Sequence, residues 1–307
     1  LWLAESFTGG LLMGGGLGSE LANWIVDGEP HIDLGEVDPR RFGSYANTVY
    51  TGHKNKEAFG HNFGIHYPGY EWPAARPAKM MPCYDRLSAA GAVWGAVYGW
   101  EIPLWFAPNS AEARDVWSYR SFNSMPHIGA ECRAVRESVG LFEMTPMAKF
   151  DASGPGTEDW LNRILANRMP RKIGGIVLAH LLTHKGTVRS EFTVTRLGEA
   201  HFFLVGTPRG ERHDFDVLQK SLPADGSVRL TNVTAERGGL TVVGPNARDL
   251  LSDLVDGDLG NDTFPWMSAQ SLTVGLASDV RMMRINYEGE LGWERVPYTH
   301  LTLPTHP

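Results

Sequence analysis

Cysteine is scarce. The 307-residue chain holds two, Cys83 and Cys132, far apart and without C-x-x-C spacing. Such a pair makes neither a disulfide framework nor a zinc site, and it fits a reducing compartment: the cytoplasm, or the mitochondrial matrix in a eukaryote. Positive charge is in the minority, 28 Lys and Arg against 35 Asp and Glu, for a net charge of −7. No basic stripe runs along the chain, and its densest basic spot, residues 168–172, reads as a solvated loop, so nucleic acid is not an expected partner. No apolar run reaches ~18 residues, which leaves no expected membrane span. Residues 1–13 lack a basic n-region, contain Glu5 and are broken by Gly9 and Gly10, so they do not read as a signal peptide. With no initiator Met, the chain reads as beginning inside a domain. His53, His61 and His66 have neither an i,i+4 pair nor a cysteine partner, so no metal is expected. What is present, 42% hydrophobic and 21% charged residues, describes a globular protein of about two domains at ~150 residues each.

The most informative stretch is Tyr287-Glu288-Gly289-Glu290-Leu291-Gly292-Trp293-Glu294. Residues 280–286 before it form a half-alternating β-branched and Met run that predicts a strand. The glycines flanking Glu290 let the backbone bend and a ligand come close. Ionised, Glu290 offers two acceptor oxygens for a bidentate grip on a flat N–H/NH2 edge such as a pterin presents. The stretch resembles the Y-x-G-E-x-G-x-E signature of the folate-binding aminomethyltransferase domain. That domain occurs in the glycine-cleavage aminomethyltransferase and at the C-terminal end of dimethylglycine and sarcosine dehydrogenases.

From the N-terminus, residues 5–18 (ESFTGGLLMGGGLG) supply six glycines before an amphipathic segment at 19–26. Glycines opening a helix let backbone N–H groups approach an anion or a polarised ring. The following ANWIVDGEPHIDLGEVDPRRFG is similar to the closing segment of the FAD domain in those dehydrogenases. The resemblance implies a glycine-rich turn in which Gly9, Gly10, Gly14, Gly15 and Gly16 border the flavin. The G-x-G-x-x-G half of a dinucleotide fold is absent from the chain. Between residues 38 and 84, Pro68, Pro73, Pro77 and Pro82 argue against a long helix. In the resembling dehydrogenases this is a small connecting domain, and Ala75-Arg76-Pro77 matches its G-R-P turn with Ala in place of Gly.

Gly99-Trp100-Glu101-Ile102-Pro103-Leu104-Trp105-Phe106 looks like the G-W-x-x-P-x-x-Y entry of the folate domain, with Phe106 for the tyrosine. Aromatics around a fixed proline make a flat apolar wall, although Trp100 reads as core. Residues 131–140 predict a helix with Gly140 as C-cap, and Thr157 an N-cap before a helix burying Trp160, Leu161, Ile164 and Leu165. The order E-x-x-A-V-R-x-x-x-G-L/M-F-[DE], a strand, then [WF]-L-x-x-[IL]-L-A-N agrees with the family over about forty residues. Strands at 176–183 and 187–194 flank the turn His184-Lys185-Gly186. Here the family places two acidic residues, the first being the catalytic Asp of the glycine-cleavage enzyme. This chain has Ser190 and Glu191, the pattern of the demethylating dehydrogenases. Gly244-Pro245-Asn246-Ala247 opens a further helix, Pro sitting at N1.

Mixed strands and helices give an α+β fold. The resemblance divides it into residues 1–43, the remnant of an FAD-dependent oxidoreductase domain; 44–84, the connecting domain; 85–297, the folate domain; and 298–307, a tail outside the family pattern. It places Glu290, Tyr287 and Trp105 at the folate and makes Glu191 the candidate acid–base residue. It implies FAD and tetrahydrofolate as cofactors and an N-methylated amino acid as substrate. Flavin would take a hydride from the N-methyl group and tetrahydrofolate would trap the one-carbon unit as 5,10-methylenetetrahydrofolate. A glycine-cleavage-type transferase, or a folate-binding module without chemistry, are the alternatives.

Overall fold

A computed structural model describes Trp2, residues 9–285, Tyr287 and residues 289–296; the expected tail at 298–307 lies outside the described residues. The chain divides into two units, Leu1–Arg41 and Phe42–Pro307. The first is built on helix α1 (Gly10–Asp27), which ends at Gly28 in the left-handed conformation with its N–H on Trp24 O. Arg40 lies over the Trp24 ring at 5.2 Å.

The second unit opens with α2 (Thr48–His61), capped by the Asn47 side chain accepting from the Tyr50 N–H. This fourteen-residue helix corrects the expectation that the prolines leave no long helix between residues 38 and 84. The prolines begin at Pro68, so the segment before them is free to coil. Ala75, the residue standing for glycine in the expected turn, has φ +55°, the left-handed conformation that explains why glycine suits that position. Arg76 then makes a two-bonded contact with the buried Glu101, 2.9 and 2.6 Å. Helix α3 (Tyr84–Ala89) leads into the hairpin β1 (Ala92–Val97) and β2 (Trp100–Phe106). Its two-residue turn, Tyr98-Gly99, has positive φ at both positions, the primed geometry that matches strand twist. Helix α4 (Met125–Glu137) follows, ending at Ser138, so Gly140 opens a strand and is not the C-cap.

The rest is one pattern used twice. Strand β3 (Gly140–Glu143) precedes β4 (Ala148–Ser153), α5 (Thr157–Ile164), β5 (Leu165–Ala166), β6 (Ile176–Leu182), β7 (Val188–Gly198) and β8 (His201–Gly206). After α6 (Gly210–Lys220), strand β9 (Arg229–Asn232) precedes β10 (Leu240–Val243), α7 (Ala247–Ser252), β11 (Val255–Asp256), β12 (Ser268–Val274), β13 (Ala277–Arg284) and β14 (Gly292–Val296). Both sheets are six-stranded and antiparallel, in the orders β5-β6-β7-β8-β4-β9 and β11-β12-β13-β14-β10-β3. The leading strands are exchanged: β3 edges the second sheet and β9 the first. The turns agree in detail. Gly154 and Gly244 have φ +120° and +128°, and a Cβ on either would stand 2.3–2.4 Å from the carbonyl of Ser227 or Ser138, just ahead of the exchanged strand. Thr157 is the first residue of its helix and Asn246 the N-cap of the other, so neither the Thr157 cap nor Pro245 at N1 is found.

Period-two alternation sorts the cores. Phe192 and Val194 of β7 and Phe202 and Leu204 of β8 pack with Trp160, Leu161 and Leu218 on the helix side. Phe203 and Val205 point the other way, into a cluster with Met283 of the second sheet and Ile285 just beyond it. The second sheet repeats this, Met282 and Trp293 facing Leu251 and Phe264. The sheets therefore lie face to face with a helix layer outside each. The α+β expectation holds.

Candidate functional site

The hairpin β6–β7 and the connection from β13 to β14 bring the sequence signals together. His180 and Glu191 are directly opposite in the ladder, and His180 Nε2 meets Glu191 Oε2 at 2.9 Å. The other carboxylate oxygen accepts from the Tyr287 hydroxyl at 2.9 Å. A contact spanning 96 residues thus joins the first repeat to the second. Tyr287 is exposed overall, yet partial burial of its phenol, the bond to Glu191 and the charges of Glu191 and Glu294 push its pKa up to about 12. Its hydroxyl remains a donor across the physiological range.

Parity decides what Ser190 does. As expected for adjacent strand residues, it faces away from Glu191, on the side of Phe192 and Val194. There its Oγ donates to Asp214 Oδ1 at 2.5 Å. Asp214, buried in α6, also accepts from His213 Nδ1 at 2.9 Å. No serine-for-acid substitution seen in sequence could reveal this carboxylate 24 residues away. The H-D pair in α6 was the available signal.

Glu290 lies on a cavity of about 410 Å³ whose lining is Trp266, Arg284 and residues 289–292. Its side chain is only 20% exposed, and Arg136 Nε of α4 approaches it at 3.4 Å. Glu191 is not in that lining, so Glu290 and the Glu191–Tyr287 pair flank the same connection without sharing this cavity. Trp105 is placed elsewhere. It is buried with Val93, Ala107 and Ile128, donates to Asp115 Oδ1 at 2.9 Å and stacks on His127 at 5.4 Å. The structure gives it core contacts.

The glycines depart from the expected turn. Gly9 is the N-cap of α1, Gly10 its first residue, and Gly14, Gly15 and Gly16 lie inside it. With Gly18, four internal glycines disfavour a helix by roughly 1 kcal/mol each, but the leucines and methionine between them are good formers and the coil continues. Interior N–H groups are committed to the helical ladder, leaving only Gly9 and Gly10 at the end where donors are spare. The expected glycine-rich turn is thus a helix with Gly9 and Gly10 at its N-terminal end, and no flavin step is derived from these glycines. Of the three histidines, His61 and His66 join Tyr70 and Trp72 in an aromatic cluster. Among the described residues no group of three His, Cys, Asp or Glu could hold a metal, and no helix is long and apolar enough to cross a membrane.

One buried group was invisible in sequence. Lys149 of β4, 1% exposed, donates to the carbonyls of Thr145 and Met147, both at 2.8 Å. Burial brings its pKa down to about 7, opposed by the charges of Glu143, Glu211 and Glu294.

Comparison with known proteins gives two family matches along the chain. Residues 83–300 match the family described as the GCVT N-terminal domain, and residues 27–80 the FAD dependent oxidoreductase central domain. Human mitochondrial dimethylglycine dehydrogenase is 36% identical over 295 residues, 95% of this chain and 34% of that protein. The mitochondrial pyruvate dehydrogenase phosphatase regulatory subunit of mouse is 29% identical over 297 residues, with the same coverages. The crystal structure of the glycine cleavage system aminomethyltransferase T from Bartonella henselae superposes with a TM-score of 0.58 at 26% identity, covering 72% of this chain and 54% of that one. The chain spans about a third of the length of the curated relatives it matches.

Proposed function

The chain belongs to the GCVT N-terminal domain family, and from that premise we propose that it is the folate-binding part of an FAD- and tetrahydrofolate-dependent demethylating dehydrogenase of N-methylated glycines. In this reading residues 1–43 close a flavin domain, 44–84 connect, and 85–297 bind the folate; the site of action is the cytoplasm or, in a eukaryote, the mitochondrial matrix, in line with a human relative named as mitochondrial. The observation that carries the proposal is Glu290: a largely buried carboxylate on the wall of a 410 Å³ cavity, at the point where the signature places a pterin's N–H/NH2 edge. Bound tetrahydrofolate supplies the amine nitrogens that take up the one-carbon unit. The chain's own residues hold and orient: Glu290 grips the ring edge, while Tyr287, its proton retained, is aligned by Glu191, itself held by His180. Glu191 is the carboxylate available to accept a proton there.

Calorimetric titration with tetrahydrofolate tests this. Removing one partner of a desolvated charged pair commonly costs ~2–5 kcal/mol, so Glu290→Gln should weaken binding by ~30-fold or more. Unchanged affinity removes Glu290 from the site. A second reading, a folate-binding module with a regulatory role and no chemistry of its own, is favoured by the likeness to the phosphatase regulatory subunit. The two part on catalysis, since only the first requires Glu191→Gln to slow one-carbon capture.

A further inference from the structure

Trp266 is the most exposed tryptophan among the described residues, at 67%, and it lines the same cavity as Glu290. Its exposure is built in. On one side, the buried Phe264 donates to Gly260 O at 2.8 Å and accepts from Arg284 Nη1 at 2.6 Å. The Pro265 carbonyl accepts from Ser268 Oγ at 2.5 Å. On the other, Met267 N–H bonds to Arg284 O and its own carbonyl accepts from Ile176 N–H, both at 3.0 Å. Met267 also has φ +59°, a left-handed conformation unfavourable for a residue with a side chain and held only where the surroundings over-determine it. The backbone is fixed on both sides of Trp266, which lines the cavity, while Phe264 and Met267 pack into the cores.

An exposed indole and a carboxylate lining one cavity select a particular ligand. The indole accepts a ring lying against it, and the carboxylate accepts in-plane N–H donors at that ring's edge. We propose that Trp266 is the stacking platform for a flat, N–H-rich heterocycle whose edge is gripped by Glu290. This rests on the folate reading and extends it to the ring's face. Phenylalanine retains a π face at this position and alanine does not, so the two substitutions separate stacking from mere space filling.

The test titrates the chain and its Trp266→Phe, Trp266→Ala and Glu290→Gln variants with 5-formyltetrahydrofolate and with pterin-6-carboxylate, which has the ring but lacks the tail. Calorimetry gives affinity, and quenching of tryptophan emission reports the indole directly. Stacking on an aromatic side chain predicts a ~10- to 100-fold loss for Trp266→Ala with both ligands and only a few-fold loss for Trp266→Phe. A ligand-induced quench should be much reduced in Trp266→Phe. Trp266→Ala binding like the parent, while Glu290→Gln binds weakly, would overturn the platform and leave the folate reading standing. A parent chain that binds neither ligand would overturn both. Since the side chain projects outward, Trp266→Ala should fold, and its circular dichroism checks that.

Discussion

Restoring aspartate at position 190 would return the carboxylate found there in the glycine-cleavage pattern, but the structure argues that the protein would pay in stability before it gained any chemistry. Ser190 Oγ lies 2.5 Å from an oxygen of Asp214, which is 2% exposed. Two carboxylates about 4 Å apart repel by about 4 kcal/mol at an effective dielectric constant of 20. The escape is for one of them to keep its proton. Lifting a carboxyl from about 4 to about 7 is three pKa units, about 4 kcal/mol at 1.36 per unit. Both routes place Ser190→Asp at about 3–4 kcal/mol less stable at pH 7, a large share of a typical 5–15. The sign with pH is fixed. A carboxyl whose folded pKa is raised above its unfolded value destabilises fully above the folded pKa, and the deficit fades as pH falls towards the unfolded value near 4. Urea unfolding of Ser190→Asp, Ser190→Ala and Ser190→Asp/Asp214→Asn at pH 7 and pH 5 measures it. Ser190→Ala, which removes one bond to a buried charge, should lose about 1–3 kcal/mol, and the double variant should recover most of the loss. Parent-like stability of Ser190→Asp at pH 7 would refute the hairpin-to-α6 contact on which the reasoning depends.

Other outcomes follow from contacts already described. His180→Ala should lower one-carbon capture about tenfold with little change in folate affinity, and His180→Gln, which keeps a donor towards Glu191, should restore most of it; equal losses in both variants would deny the positioning role. Gly244→Ala, at φ +128° with a Cβ 2.4 Å from Ser138 O, should destabilise by more than about 3 kcal/mol, read as a fall in the urea midpoint. Lys149 has a folded pKa of about 7, against the ordinary 10.5. Its penalty is therefore complete below pH 7 and relieved as pH rises towards 10, so stability attributable to this residue should rise over that window by up to about 4 kcal/mol. Lys149→Met should flatten that rise in a pH series of urea melts.

Much of the fold was legible because its elements are set locally. The hairpin around His184-Lys185-Gly186 follows from two apolar strand runs and a glycine turn. The opposite faces of Ser190 and Glu191 follow from strand parity alone. The helix α1 was misread at its start because a run of glycines is a turn signal locally, while the residues between them decide otherwise. The clustering of prolines after residue 68 masked α2, which lies wholly before them. The site was legible only in part. The octapeptide pointed to Glu290 and Tyr287, but His180, Asp214 and Trp266 enter through pairing across strands and sheets, which no local pattern encodes. Trp105 misled because an aromatic wall and a packed core use the same side chains. The repeat itself was hidden, as Gly154-Pro155 and Gly244-Pro245 are short anchors in otherwise different sequence.

The exchange of β3 and β9 sets a timetable for the nascent chain. The first sheet has all its strands once Asn232 has been made, because β9 lies in the link between the repeats. Strand β3 has a longer wait. Its partner β10 begins 100 residues later, Gly140 pairing with Val243 and Glu143 with Leu240, a delay of about 5–20 s at the usual pace of translation. Through that interval Leu141 and Phe142 sit on a strand without its partner, the kind of edge that attracts another chain. The ribosome therefore delivers a half-clasped molecule, closed only when β14 arrives to flank β10, and β3 is where a holdase would be expected to bind it.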